Sequence, residues 1–218
     1  MMRGEAPVLR ILISLLVSCG VAAANPAASP ADYVLAIVDV ETTGLDPAHN
    51  EMIDLGAVYA DVDGTEIARF FVRMTPDHPE RAGAVARSIN GFDEARWETL
   101  GAVSEEEAVR RFLAFHEEHT GGRTAIFTAY NATFDRDFLD ALLKEHEAPR
   151  FRDLFTYYVL DLPSIAWGAG ARGLSGRDIA AAFGVAPETS DPLEHTGISG
   201  AAWNLELYRA MLAAEAEN

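Results

Sequence analysis

Residues 33–41, YVLAIVDVE, are apolar at nearly every position and rich in valine and isoleucine. A run apolar on both faces predicts a strand buried inside a sheet. The next stretch, TTGLDPAHN, is built from turn residues. EMIDLGAVYADV and EIARFFVRMTP predict two further strands, joined at Asp63-Gly64, a hairpin signal. Residues 79–100 are mixed, with INGF reading as an ordered loop. SEEEAVRRFLAFHEEH has the spacing of an amphipathic helix, with Ser104 as its cap and Glu107 closing a capping box. TAIFTAY is a second buried strand, ATFDRDFLDALLKEHE a helix and YYVLD a short strand. GLSGRDIAAAFGV and GAAWNLELYRAMLAAEAE complete the pattern as helices. Strands come first, and strand and helix then alternate. That order predicts an α/β domain, a mixed sheet flanked by helices. No internal repeat is visible.

The first thirty residues follow a different rule. Arg3 and Arg10 precede an apolar run at 11–17, and small residues follow. Charged start, apolar middle and small-residue end are the order of a secretory signal. The apolar stretch ends by Ala24, too short for an ordinary membrane span. Two cleavage sites compete. LVSC, ending at Cys19, resembles the bacterial lipoprotein signal, which would make Cys19 a lipidated first residue. AAA at 22–24 resembles an ordinary signal-peptidase site. The expected organisation is a signal at 1–24, a linker at 25–32 and a domain at 33–218. The expected location is outside the cytoplasm, in the periplasm or as an envelope lipoprotein of a bacterium. Contact with membrane would then run only through the lipid.

Composition narrows the chemistry. Acidic residues outnumber basic ones 34 to 17, and the net charge is -17. Such a surface disfavours broad, sequence-independent nucleic-acid binding, which draws on basic residues. Gripping one or two nucleotides through cations remains open. Cys19 is the one cysteine, so no internal disulfide and no multi-cysteine zinc site can form.

Three places carry candidate chemistry. Asp39 and Glu41 are two apart on a strand and so share a face. They stand at the strand's carboxyl end, where ligands of open α/β sheets gather. Asn131 and Asp135 follow the second buried strand and enter a helix. An acid in a first helical turn is ordinary in isolation, but two strand ends here deliver carboxylates to the same kind of edge. Three carboxylates gathered there suit magnesium or manganese. His195 opens the segment into the last helix. Histidine ionises near neutral pH and can take a proton from a water nucleophile.

These motifs resemble the DEDD superfamily of 3′–5′ exonucleases, histidine subclass, to which polymerase proofreading subunits and ribonuclease T belong. VDVETTGLDP matches the first motif and NATFD the second. The resemblance implies a ribonuclease-H-like fold and two-metal hydrolysis of phosphodiesters. Asp39, Glu41 and Asp135 would hold Mg2+ or Mn2+, with Asp39 bridging both ions. His195 would activate the attacking water. Thr42, Leu45, Asn131 and Phe134 would bind substrate, Leu45 against the terminal base. The partner implied is a single-stranded 3′ end or a short oligonucleotide.

The third motif departs from the family. It runs H-x-x-x-x-D-A there, and HTGISGA puts Gly200 at the aspartate position. One ligand of the first metal is missing. Asp191 or Glu194 would have to swing in from the loop to replace it, while Glu206 is out of phase on the helix. Gly200→Asp is the exchange expected to restore the ligand. Two functions therefore stand: a weakened metal-dependent exonuclease, or an inactive exonuclease-fold binding or structural module in the cell envelope.

Overall fold

The computed structural model describes residues 29–216. The proposed signal, Cys19 and the first half of the linker lie outside the described residues. Five strands form one sheet: β1 (Tyr33–Thr42), β2 (Met52–Ala60), β3 (Glu66–Arg73), β4 (Thr124–Ala129) and β5 (Leu160–Asp161), in the order β3-β2-β1-β4-β5. The first three run antiparallel and the last two parallel to β1. Among the described residues, eight α-helices accompany them: α1 (Ala84–Asn90), α2 (Glu94–Thr99), α3 (Glu105–Thr120), α4 (Ala132–Glu145), α5 (Phe151–Leu154), α6 (Leu162–Gly168), α7 (Gly176–Phe183) and α8 (Gly197–Ala216). This is the mixed, helix-flanked sheet that the apolar pattern predicts.

β1 is central because both of its faces are apolar. Val34, Ala36, Val38 and Val40 pack toward α3 and α4, with Phe112, Phe138 and Leu139. Leu35 and Ile37 pack toward α6, α7 and α8, with Leu162, Ile179 and Leu205. The alternation therefore sends Asp39 and Glu41 to the α8 side. Among the described residues, no helix is long and apolar enough to cross a membrane.

The structure differs from the sequence reading in places. The mixed segment 79–100 holds α1 and α2, and INGF is the end of α1, closed by Gly91 in the left-handed region. The strand expected over YYVLD shrinks to Leu160–Asp161; Tyr157 and Tyr158 are exposed. Ser104 caps α3 by accepting from the Glu107 amide. Glu107 does not close the box, because its carboxylate is taken by Arg110 and Arg111. The last helix begins at Gly197, three residues before Gly200.

Candidate active site

Three elements meet at the carboxyl end of β1. Asp39 pairs across the sheet with Gly56, and Glu41 with Asp54. α4 starts beside them because the Val40 amide donates to Asp135 Oδ1 at 3.2 Å. Asn131, left-handed at φ 58°, turns the chain from β4 into that helix. Its side chain does not cap α4. The cap comes from Asp161, which accepts from the Ala132 amide at 3.1 Å.

α8 reaches the sheet through glycines. Gly56 and Gly197 face each other so closely that a Cβ on either would overlap the other's backbone. The Gly197 amide donates to Asp54 Oδ1 at 2.9 Å. One turn on, Gly200 lies against Asp39. A Cβ at 200 would stand 2.5 Å from Asp39 Cγ. The Asp39 carboxylate thus occupies the room a side chain at 200 would take, and Asp39 would have to move before an aspartate at 200 could fit.

The cavity between these elements measures about 410 Å³. Its lining includes the polar Asp39, Glu41, Asp135, His195 and Glu188 and the apolar Leu45, Val85, Ile89 and Phe134. Leu45 is 84% exposed and stands as an apolar lip. Thr42 lines the floor, its hydroxyl donating to the Gly44 carbonyl at 2.6 Å. Asn131 does not line the cavity; it is exposed and accepts from the Thr133 hydroxyl. His195 is held at both nitrogens. Nδ1 lies 3.1 Å from the Thr189 carbonyl, and Nε2 lies 3.2 Å from Glu41 Oε1. A carbonyl accepts only, so Nδ1 carries the proton and donates.

The carboxylates work against each other. Burial first, then the charges of Asp135, Glu41, Glu188 and Asp54, hold Asp39 well above the usual range. Burial, helped by Asp54, pushes Glu41 to about 9, against an opposing hydrogen bond from Asn90. Asp54, fully enclosed beneath the site, rises to about 7 through burial, partly offset by the Gly197 amide and Arg73. Burial also raises Asp135, and its Oδ2 has no hydrogen-bond partner. Unpaired buried carboxylates are costly, and a cation among them removes the cost.

All oxygens here are hard donors, so the residues fit Mg2+ or Mn2+ in chemistry. Asp39, Glu41 and Asp135 line one cavity. Among the described residues, no group of three or more His, Cys, Asp or Glu is arranged to hold an ion as it stands. Each carboxylate has its own neighbour: Asp39 lies against Gly200, Glu41 against His195, and Asp135 accepts from the Val40 amide.

A family model for exonucleases, of ribonuclease T type, matches residues 36–208. The chain belongs to the exonuclease family. PolC-type DNA polymerase III from Streptococcus pneumoniae is 30% identical over 122 residues, 56% of this chain and 8% of that protein. The Thermotoga maritima counterpart is 31% identical over 114 residues, covering 52% and 8%. The chain thus spans less than a tenth of these relatives' length. Among solved structures, the nuclease domain of 3'hExo, a DEDDh family member bound to rAMP, aligns with TM-score 0.66 and 14% identity, covering 83% of this chain and 92% of that one. E. coli exonuclease I, solved with single-stranded DNA and zinc, aligns with TM-score 0.66 and 15% identity, over 83% and 40%. The ribonuclease-H-like fold is therefore shared with these exonucleases.

Sequence reasoning overlooked two residues of the site. Asn90 sits in the cavity, donates to the Thr42 carbonyl at 3.0 Å and hydrogen-bonds Glu41. No pattern in the sequence singles it out, since its burial follows from the placement of α1. Glu188 lies in the loop before α8, beside His195. Asp191 and Glu194, the acids nearest His195 in sequence, are exposed and line no cavity with Asp39. Asp191 caps its own loop by accepting from the Leu193 amide. Glu206 is exposed, as its phase on the helix predicts.

Proposed function

We propose that this chain is a divalent-cation-dependent 3′–5′ exonuclease acting on single-stranded nucleic acid. The observation that carries the reading is the cavity itself. Asp39, Glu41, Asp135 and His195 share it with an apolar wall of Leu45, Val85, Ile89 and Phe134. The wall suits a terminal base, and the acidic side suits the adjacent phosphate only when cations intervene. Asp39, Glu41 and Asp135 would hold Mg2+ or Mn2+. Bound there, such ions stabilise charge on attacking and leaving oxygens. His195 serves as the base: the Thr189 carbonyl fixes the proton on Nδ1 and turns Nε2 toward the cavity. That nitrogen lies 3.2 Å from Glu41 Oε1, so the base would stand beside a cation held by Glu41. Asp54 supports from below by accepting from Gly197, which fixes the start of α8 behind His195.

The relatives frame the substrate. One aligned structure holds single-stranded DNA and another rAMP, so an end with free nucleotides is the class proposed. The test is purified protein with manganese on end-labelled oligonucleotides. Stepwise shortening of a 5′-labelled strand supports the reading, and Asp39→Ala should abolish it.

A second reading has one observation in its favour. With Gly200 in place, Asp39 rests against the helix, and the site lacks the family's fourth acid. An inactive binding module would show no turnover with any divalent cation.

Export is proposed for the whole chain on the order of residues 1–24. In a bacterial host, intact mass of the mature protein should place its start at Cys19 with lipid or at Asn25 without. A full-length chain recovered from cytoplasm would contradict export.

A further inference from the structure

A second cleft of about 340 Å³ opens on the α8 side of Asp39. Its lining includes Asp39, Glu188, Arg177, Tyr130, Trp203 and Asn204. Asn204 is 1% exposed, yet neither Oδ1 nor Nδ2 has a hydrogen-bond partner. A buried amide left unpaired at both atoms is costly, and in a native fold it calls for something to fill it. Asn204 is four residues after Gly200, so both lie on one face of α8. That face looks onto Asp39.

Glu188 reaches the same place from the loop. It lines both this cleft and the main cavity. Its charge acts on both Asp39 and Glu41. The loop is pinned for this purpose: Trp203 on α8 donates from Nε1 to the Ala186 carbonyl at 2.8 Å, two residues before Glu188. Trp203 packs in turn on Tyr130.

We propose that Glu188 and Asn204 supply the oxygen ligands that Gly200 lacks, holding a divalent cation against Asp39 from the α8 side. A carboxylate and an amide carbonyl oxygen are both ordinary ligands for magnesium and manganese. The loss of the acid at 200 is then a relocation: the helix gives up its own carboxylate, Asp39 moves into the room, and the loop returns a carboxylate from the other side. The inference rests on the metal-dependent reading above.

The experiment titrates Mn2+ alone into the purified mature protein by calorimetry, with melting temperature followed in parallel. Wild type should bind. Glu188→Gln should weaken binding by about tenfold or more, at least what a lost supporting group costs. Its metal-free melting temperature should stay level or rise, because one repelling charge is gone. Asn204→Leu, which fills the space without an oxygen, should also weaken Mn2+. Glu194→Gln, on the exposed loop acid, should change nothing. Undiminished Mn2+ affinity in Glu188→Gln and Asn204→Leu overturns the proposal while leaving the metal-dependent reading intact. A slower nuclease rate in Glu188→Gln at unchanged Mn2+ affinity also overturns it, since Glu188 would then act through His195. Absence of Mn2+ binding in wild type brings down both this proposal and the reading beneath it.

Discussion

At the scale of the residue, Gly200 and Asp39 have to be understood as a pair. The absent carboxylate at 200 leaves room, and the carboxylate of Asp39 fills it. Gly200→Asp therefore creates a conflict before it creates a ligand. In metal-free protein we expect overpacking of about 1–3 kcal/mol, a melting temperature lower by roughly 2–12 °C for a domain of this size. Scanning fluorimetry in chelator measures it; an unchanged temperature would show that Asp39 swings aside freely. His195 makes a separable prediction. As the base and not a ligand, His195→Ala should lower turnover by roughly 100–10,000-fold while Mn2+ binding stays within about twofold. Equal loss of binding and turnover would make His195 part of the metal site instead. Asp39, Glu41, Asp135 and His195 were legible in the sequence because each stands at a fixed spacing inside a motif. Glu188 was not, because it sits in an irregular loop, and no periodicity says which of several loop acids turns inward.

At the scale of the element, the start of α8 is placed by absence of side chains. Gly56 on β2 and Gly197 on α8 let helix and sheet touch backbone to backbone, and Asp54 ties the contact by accepting from the Gly197 amide. Gly56→Ala should force the helix off the sheet. We expect a loss of about 1–3 kcal/mol in urea unfolding and a weaker site, since Gly200 lies on this helix end and His195 in the loop just before it. An unaltered midpoint would mean the contact is not tight. The sheet itself was readable because β1 and β4 are apolar runs and β2 joins β3 through a two-residue signal. The short helices α1 and α2 were hidden, as six or seven residues are too few to show a helical period. The helix-on-sheet glycines were visible as letters in HTGISGA, but their meaning required knowing that Gly56 lies opposite.

At the scale of the whole molecule, acidity sets the conditions under which the site holds together. The chain carries a net charge of -17, and the most concentrated repulsion lies at the carboxyl end of β1. Glu41 and Asp54 are raised to about 9 and about 7. A carboxyl group raised on folding binds its proton more tightly in the native state, so its stabilising contribution is full below its unfolded value. It fades as pH climbs through the folded value. In chelator, melting temperature should therefore fall between about pH 5 and 9, and Mg2+ should flatten the decline by binding the folded form. A metal-free melting temperature that rises across this window would contradict the repulsion described here. The central claim is that the cavity hydrolyses nucleic acid from one end with cations held by these carboxylates. The most direct measurement is Mn2+-dependent digestion of a single-stranded oligonucleotide labelled at either end, by wild type and by Asp39→Ala. The account predicts immediate release of a 3′ label as mononucleotide, a descending ladder from the 5′-labelled strand, and neither with Asp39→Ala or in chelator. No release by wild type at any Mn2+ concentration, or equal release by Asp39→Ala, would contradict it.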